Sequence, residues 1–138
     1  MNRNDFQNIS KLRVHEAKQL LDRQCYDGTY YLLGYAIECA IKSCIAKQTK
    51  KYDFPSRTVS QDCYNHDLKK LLQTAGLWQK LSDDIKVNEP LSDNWAVVKD
   101  WNEASRYFVG VSEKQARDFY SACTSKKNGV LSWLKKLW

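Results

Sequence analysis

The sequence predicts an all-α protein, folded as an antiparallel up-and-down bundle of four or five helices. Three observations predict it. Five Gly and two Pro in 138 residues are too few for a barrel or a sandwich with many tight turns. Apolar residues recur at helical spacing through most of the chain. The longest apolar run, residues 30–46, exceeds the length of a typical β-strand several-fold.

Size and composition predict one domain over residues 1–138. A chain of this length, with 43% hydrophobic residues, holds one core, and two domains would each have too little interior. The formal net charge of +6 favours an anionic partner such as RNA, a nucleotide or an acidic protein face.

Cysteine usage and hydropathy predict a cytoplasmic protein. The five cysteines are an odd number, and no pair has the Cys-x-x-Cys spacing of a zinc or redox site. A reducing compartment is therefore expected, with no metal and no cofactor. Residues 30–46 are too short for a membrane span and carry Glu38 and Lys42, so we expect no membrane association.

Two long helices are predicted in the first third of the chain. The first covers about residues 8–23, and the second covers about 28–47 with Asp27 as its N-cap. Residues 30–46 are apolar nearly all round, so the second helix should be the central and most buried one.

The rest of the chain predicts shorter elements. Residues 47–65 are polar and basic, which predicts a long loop. A short helix should start near His66 and stop at Gly76. Residues 77–91 indicate only one or two helical turns, ended by Pro90. A further helix is predicted from Ser92 or Asp93 to Gly110.

The C-terminal segment is predicted to be helical with one interruption. Ser112 and Gln115 form a capping box, Asn128-Gly129 interrupts the helix, and residues 130–138 continue it.

Glu38 and Arg106 are the first candidate site residues. A carboxylate inside the most apolar helix is costly to bury unless it is paired. Glu38 therefore either emerges with Lys42 on a narrow wet stripe or faces a polar pocket shared with another helix. Arg106 can pair with Glu38 or present its guanidinium to a phosphate.

His66-Asp67 is the third candidate. The chain has two histidines, His15 and His66, which is too few for a His-Asp metal-dependent phosphohydrolase. His66 is therefore either a helix-start residue or a catalytic base, and Asp67 complements the dipole of the first helical turn.

Together these segments resemble the HEPN domain (higher eukaryotes and prokaryotes nucleotide-binding). The most specific part is the pattern of the second helix, which runs through Tyr26, Tyr35, Ala36, Glu38 and Lys42. Segments that are also similar are 16–21, 66–68, 101–107 and 129–133.

The resemblance implies a helical bundle, often a homodimer, that binds nucleotides or RNA. It also implies a role beside a minimal nucleotidyltransferase or in toxin–antitoxin and defence systems. Trp95, Trp101, Trp133 and Trp138 are many for one small core, which also predicts a homodimer.

Many HEPN members are metal-independent ribonucleases that carry Arg, a spacer of four to six residues, and then His. No histidine follows Arg106 at that spacing. We therefore expect a non-catalytic nucleotide- or RNA-binding module. The alternatives are a divergent ribonuclease that uses His66 and Arg106 and a purely structural interaction partner. The predicted ligand-binding residues are Glu38, Lys42, His66, Asp67, Asn102, Arg106 and Tyr107.

Overall fold

The computed structural model of the protein describes residues 1–49 and 61–138. In these two ranges the chain forms α-helices, one 3-10 helix and no β-strand, which confirms the all-α class. The helices are α1 (Arg3–Asp22), α2 (Tyr26–Lys47), α3 (Leu68–Thr74), α4 (Trp78–Val87), α5 (Glu89–Val98), the 3-10 helix (Glu103–Tyr107), α6 (Glu113–Thr124) and α7 (Val130–Lys135). The described ranges thus hold more helices than the four or five predicted, because the C-terminal half divides into short segments.

Helices α1 and α2 form an antiparallel hairpin. The Ser10 hydroxyl donates to the Ala36 carbonyl at 2.7 Å, and the Ser43 hydroxyl donates to the Arg3 carbonyl at 3.4 Å. Helix α1 begins earlier than predicted because Asn2 and Asp5 form a capping box there. The helices run in opposite directions and bury the faces that carry these serines.

Helix α2 is the central helix, as the apolar run predicts. It packs against α1, α3, α6, α7 and the 3-10 helix. It begins at Tyr26, so Asp27 is not its N-cap, contrary to the prediction. The Asp27 carboxylate instead accepts the backbone N–H groups of Gly110 at 3.1 Å and Val111 at 2.7 Å. This contact attaches the segment before α6 to the start of α2.

In the middle of the chain, the prediction for Asp67 needs correction. The predicted loop over 47–65 lies largely outside the described residues. Helix α3 begins after His66, with the Asp67 side chain as its N-cap, and Gly76 follows it with a φ of +71°. Asp67 is therefore a cap rather than a residue of the first turn.

The predicted helix from residue 92 to Gly110 is wrong at both ends. Pro90 lies in the first turn of α5, where a missing N–H costs nothing, so the helix starts at Glu89. Helix α5 ends at Val98. The Asn102 side chain then accepts the Ala104 N–H at 2.9 Å and starts the 3-10 helix that contains Arg106.

The predictions for the C-terminal segment are confirmed. Ser112 and Gln115 form the capping box of α6, and Gly129 precedes α7. Trp95, Trp101 and Trp133 are buried within this one chain. The argument for a homodimer from surplus tryptophans therefore fails, and the homodimer stays a prediction.

Candidate functional site

The carboxylate of Glu38 is buried in the middle of α2, with 3% of its side chain exposed. It is therefore not on a wet stripe, and the alternative of a polar pocket shared with another element holds. One oxygen lies 2.6 Å from His66 Nδ1, and the other accepts from Lys42 Nζ at 3.4 Å. A buried carboxylate needs such partners because desolvation of the charge is costly.

His66 lies between two carboxylates. Its Nδ1 faces Glu38, and its Nε2 lies 3.2 Å from Glu103 Oε2 in the 3-10 helix. A neutral imidazole carries one N–H and can donate to only one of them, whereas the imidazolium donates to both. Nδ1 is thus hydrogen-bonded to Glu38, and Nε2 lies within ion-pair distance of Glu103.

Arg106 does not pair with Glu38, which corrects that prediction. Its guanidinium stacks on the Tyr107 ring, 4.8 Å from the centroid. The pKa of Arg106 is raised above its ordinary value, chiefly by the Tyr107 hydroxyl, with smaller effects from Glu103 and Tyr31. The Arg106 side chain is exposed, although Tyr31 of α2 lies near enough to affect its pKa.

These contacts form a charged chain of alternating sign. We use the name "charged chain" for Lys42, Glu38, His66, Glu103 and Arg106. It links α2, the segment before α3 and the 3-10 helix. Glu38 lies between Lys42 and His66, His66 lies between Glu38 and Glu103, and the charge of Glu103 contributes to the raised pKa of Arg106.

Sequence reasoning missed Glu103. It follows Asn102 in a segment that the sequence predicts to be a regular helix, and nothing in its spacing points to His66, which lies 37 positions earlier. The 3-10 helix brings it there because Asn102 caps that helix and Trp101 anchors it in the core. The His-to-carboxylate contact is thus a product of tertiary structure.

A groove of about 570 Å³ lies beside the charged chain, between α1 and α2. Its charged lining residues include Arg13, Glu38 and Lys42, and its aromatic ones include Tyr31 and Tyr35. The pKa of Tyr35 is raised well above its usual range by the neighbouring Tyr31 hydroxyl, by burial and by the two carboxylates of the charged chain. The groove thus offers cations, hydroxyls and aromatic faces to a ligand.

Two exposed aromatic residues directly follow Arg106 in the sequence. The side chains of Tyr107 and Phe108 are 73% and 50% exposed, and Val109 beyond them is 93% exposed. Exposed aromatic faces beside an arginine are the combination on which unpaired nucleic-acid bases stack. We call Arg106, Tyr107 and Phe108 the stacking tip.

The predicted ligand-binding residues divide into two groups. Glu38, Lys42 and His66 come together in the charged chain, which Arg106 joins through Glu103, and Tyr107 lies beside it. Asp67 and Asn102 instead use their carboxylate and amide oxygens as helix caps. Their side chains position the backbone of the site and do not face it.

Metal chemistry and thiol chemistry find little support in the described part of the chain. No group of three or more His, Cys, Asp or Glu side chains that can hold a metal ion occurs within residues 1–49 and 61–138. Burial raises the pKa of the Cys39 thiol, which lines the groove, to about 11. This thiol is therefore protonated near neutral pH.

Within residues 1–49 and 61–138, none of the helices has the length and hydropathy of a membrane span.

Comparison with known proteins gives no assignment. No protein-family model matches the chain, and no curated protein and no solved structure matches it either. The resemblance to the HEPN domain therefore stays a prediction from the residues.

Proposed function

We propose that the protein is a non-catalytic, cytoplasmic module that binds single-stranded RNA or a nucleotide at the stacking tip and the adjoining groove. The observation that carries the proposal is the exposure of Tyr107 and Phe108 beside Arg106. Large aromatic side chains that remain exposed in a chain with a full core favour a ligand with flat faces. The formal charge of +6 favours a polyanion.

Phosphate neutralisation falls to Arg106 and Lys42, the two ends of the charged chain, and to Arg13, which pairs with Glu16 in the groove. Arg106 is exposed, and Lys42 and Arg13 line the groove. Tyr31 connects the two parts because it lines the groove and contributes to the raised pKa of Arg106. One RNA strand can therefore stack on the tip and direct its backbone toward the groove.

The non-catalytic part of the proposal rests on His66. A general base needs a free nitrogen within about 2.6–3.2 Å of the hydroxyl that it deprotonates. Glu38 is hydrogen-bonded to Nδ1 at 2.6 Å, and the Glu103 carboxylate lies 3.2 Å from Nε2, where a substrate hydroxyl would have to approach.

Fluorescence anisotropy with a labelled single-stranded RNA tests the proposal. We expect binding that weakens steeply with added salt. Tyr107→Ala should weaken it roughly fivefold or more, because a stacked base is lost. Val109→Ala is the matched control, since Val109 is exposed two residues away and has no aromatic face. Equal effects of the two substitutions, or no binding at low salt, would exclude the stacking tip.

A divergent ribonuclease is the second candidate, and the contact between Glu38 and His66 favours it. A buried carboxylate that holds one imidazole nitrogen is how many enzymes orient a catalytic histidine. Glu103 is 41% exposed, so its movement would free Nε2. The test is metal-free RNA cleavage by the unmodified protein, by His66→Ala and by His15→Ala. Cleavage lost only in His66→Ala would favour the enzyme over the binding module.

The partner predictions rest on the resemblance alone. A homodimer, a nucleotidyltransferase companion and a place in a toxin–antitoxin or defence system remain proposals. The purely structural alternative would follow if neither RNA nor a nucleotide binds.

A further inference from the structure

A cleft of about 360 Å³ lies apart from the charged chain and the groove, with which it shares no lining residue. It is formed by α4, by Asn88 and Leu91 at the start of α5, and by the C-terminal segment. Its volume lies within the range of small-molecule sites, about 300–1,000 Å³. The proposed function makes no use of it.

Positive charge surrounds this cleft. Lys80, Lys127 and Lys136 line it, and Asp84 is the acidic residue among its lining. The Lys80 Nζ lies 3.4 Å from Asp84 Oδ2 and pairs with it. Within the described ranges, no carboxylate lies within ion-pair distance of Lys127 or Lys136. Two ammonium groups are thus left for an anion that enters the cleft.

The polar wall of the cleft is fixed by hydrogen bonds. Trp133 Nε1 donates to Asp84 at 2.8 Å, and the Asn88 amide donates to Asn128 Oδ1 at 2.9 Å. Among the described residues, the Asn128 amide nitrogen donates to no protein acceptor, so it has donors for a ligand oxygen. A wall held in this way loses little conformational freedom when a ligand binds.

The remaining lining is apolar. Val87, at the end of α4, is 88% exposed, and Leu91, Leu137 and the edge of Trp133 lie along the same cleft. Leu91 and Trp133 are already buried, but an inorganic ion would leave Val87 and Leu137 in contact with water. A ligand with a compact apolar body would cover them and gain from their burial.

We infer that this cleft binds a small phosphate monoester with a compact apolar body. A phosphate monoester carries nearly two negative charges at neutral pH, which matches the two uncompensated ammonium groups of Lys127 and Lys136. Its oxygens accept from these lysines and from the Asn128 amide. Its apolar body lies against Val87 and Leu137.

Phenyl phosphate is the probe, and the indole N–H signal of Trp133 is the reporter in a two-dimensional NMR titration. The reporter is local because this N–H donates to Asp84 in the wall. We expect a saturable shift of the Trp133 signal with phenyl phosphate. Inorganic phosphate supplies only the anionic group, and phenol supplies only the apolar ring. Each should therefore bind more weakly than phenyl phosphate does.

Charge-matched variants separate this cleft from general surface charge. The double variant Lys127→Gln, Lys136→Gln should weaken phenyl phosphate binding roughly tenfold, because two ammonium groups are removed from the anion. The control is Lys126→Gln, Lys135→Gln, which removes the same charge at neighbouring exposed positions that do not line the cleft. Equal weakening in both double variants, or no saturable shift in the unmodified protein, would overturn the inference.

The outcome is independent of the RNA proposal. The shift of the Trp133 indole signal reports on the cleft alone, whether or not RNA binds at the stacking tip. If single-stranded RNA displaces phenyl phosphate from the cleft, the cleft belongs to an RNA surface and the assignment to a small phosphate monoester fails.

Discussion

The Glu38 carboxylate lies in the most apolar helix of the protein and has two partners within reach. His66 and Lys42 compensate its charge, while the protein removes it from water. Removal of one partner from a buried ion pair costs more than the pair itself contributes, because the other charge is left without compensation.

We predict that Glu38→Ala lowers the free energy of unfolding by about 3 kcal/mol. Glu16→Ala is the control: Glu16 pairs with Arg13 at 2.6 Å but is 39% exposed, and its loss should cost about 1 kcal/mol or less. Urea denaturation of both variants measures the difference. A loss for Glu38→Ala no larger than that for Glu16→Ala would contradict the description of the charged chain.

At the residue scale, the sequence predicts a polar pocket around Glu38 but not which distant residue contacts its carboxylate. A carboxylate within an apolar helix indicates a buried polar pocket, and Glu38 confirms it. Its partner could not be chosen from the sequence. Arg106 and His66 are both polar residues distant in sequence, and the choice between them depends on how the 3-10 helix and the segment before α3 pack against α2.

At the scale of the helices, Gly34 decides how the 3-10 segment attaches to α2. A Cβ at this position would lie 1.9 Å from Trp101 Cε2. The indole of Trp101 therefore lies directly against the α2 backbone, and it precedes the segment that carries Glu103 and Arg106. The position of the charged chain depends on this close approach.

We predict that Gly34→Ala lowers the free energy of unfolding by about 2 kcal/mol or more, because the buried indole must shift. The matched change is Gly28→Ala in the same helix, where the Cβ would meet only the flexible end of Leu20 at 3.0 Å. There the gain in helix propensity should keep the change within about 1 kcal/mol. Thermal unfolding compares the two, and similar losses would show that the Trp101 contact is not limiting.

The helix predictions succeeded where a local signal was sufficient. The capping box of Ser112 starts α6, and Gly76, with its positive φ, follows the end of α3. Each signal acts within a few residues of its own position. The predicted helix over 92–110 failed because its apolar spacing continues past Val98, while the Asn102 side chain competes for backbone N–H groups and starts a different helix type. Periodicity alone does not show that competition.

At the scale of the whole molecule, burial of several acidic groups predicts how stability depends on pH. Burial raises the pKa of both Cys39 and Cys44 to about 11, from an ordinary value of 9.0. Tyr30 and Tyr35 also have raised pKa values. Between pH 9 and pH 11 the unfolded chain therefore loses these thiol protons before the folded chain does.

We predict that the free energy of unfolding is unaffected by these thiols below pH 9 and falls as the pH rises toward 11. Urea denaturation at about pH 8 and about pH 10.5 measures the fall. Cys44→Ala should make the fall shallower, since one buried thiol no longer titrates. An unfolding free energy that stays constant over this range would mean that the thiols ionise in the folded protein as they do in water.

We propose that RNA binds through Arg106 and the aromatic side chains beside it. The most direct measurement is the salt dependence of RNA affinity for the unmodified protein, for Arg106→Gln and for Arg117→Gln. Arg117 is an exposed arginine on α6 that pairs with Glu113 at 2.9 Å, so its substitution removes the same charge elsewhere. Arg106→Gln should weaken binding and reduce the slope of log affinity against log salt by about 0.7, the value for one phosphate contact on a single strand. Arg117→Gln should leave the slope unchanged. Equal slopes for the two variants, or an affinity that does not depend on salt, would contradict the claim.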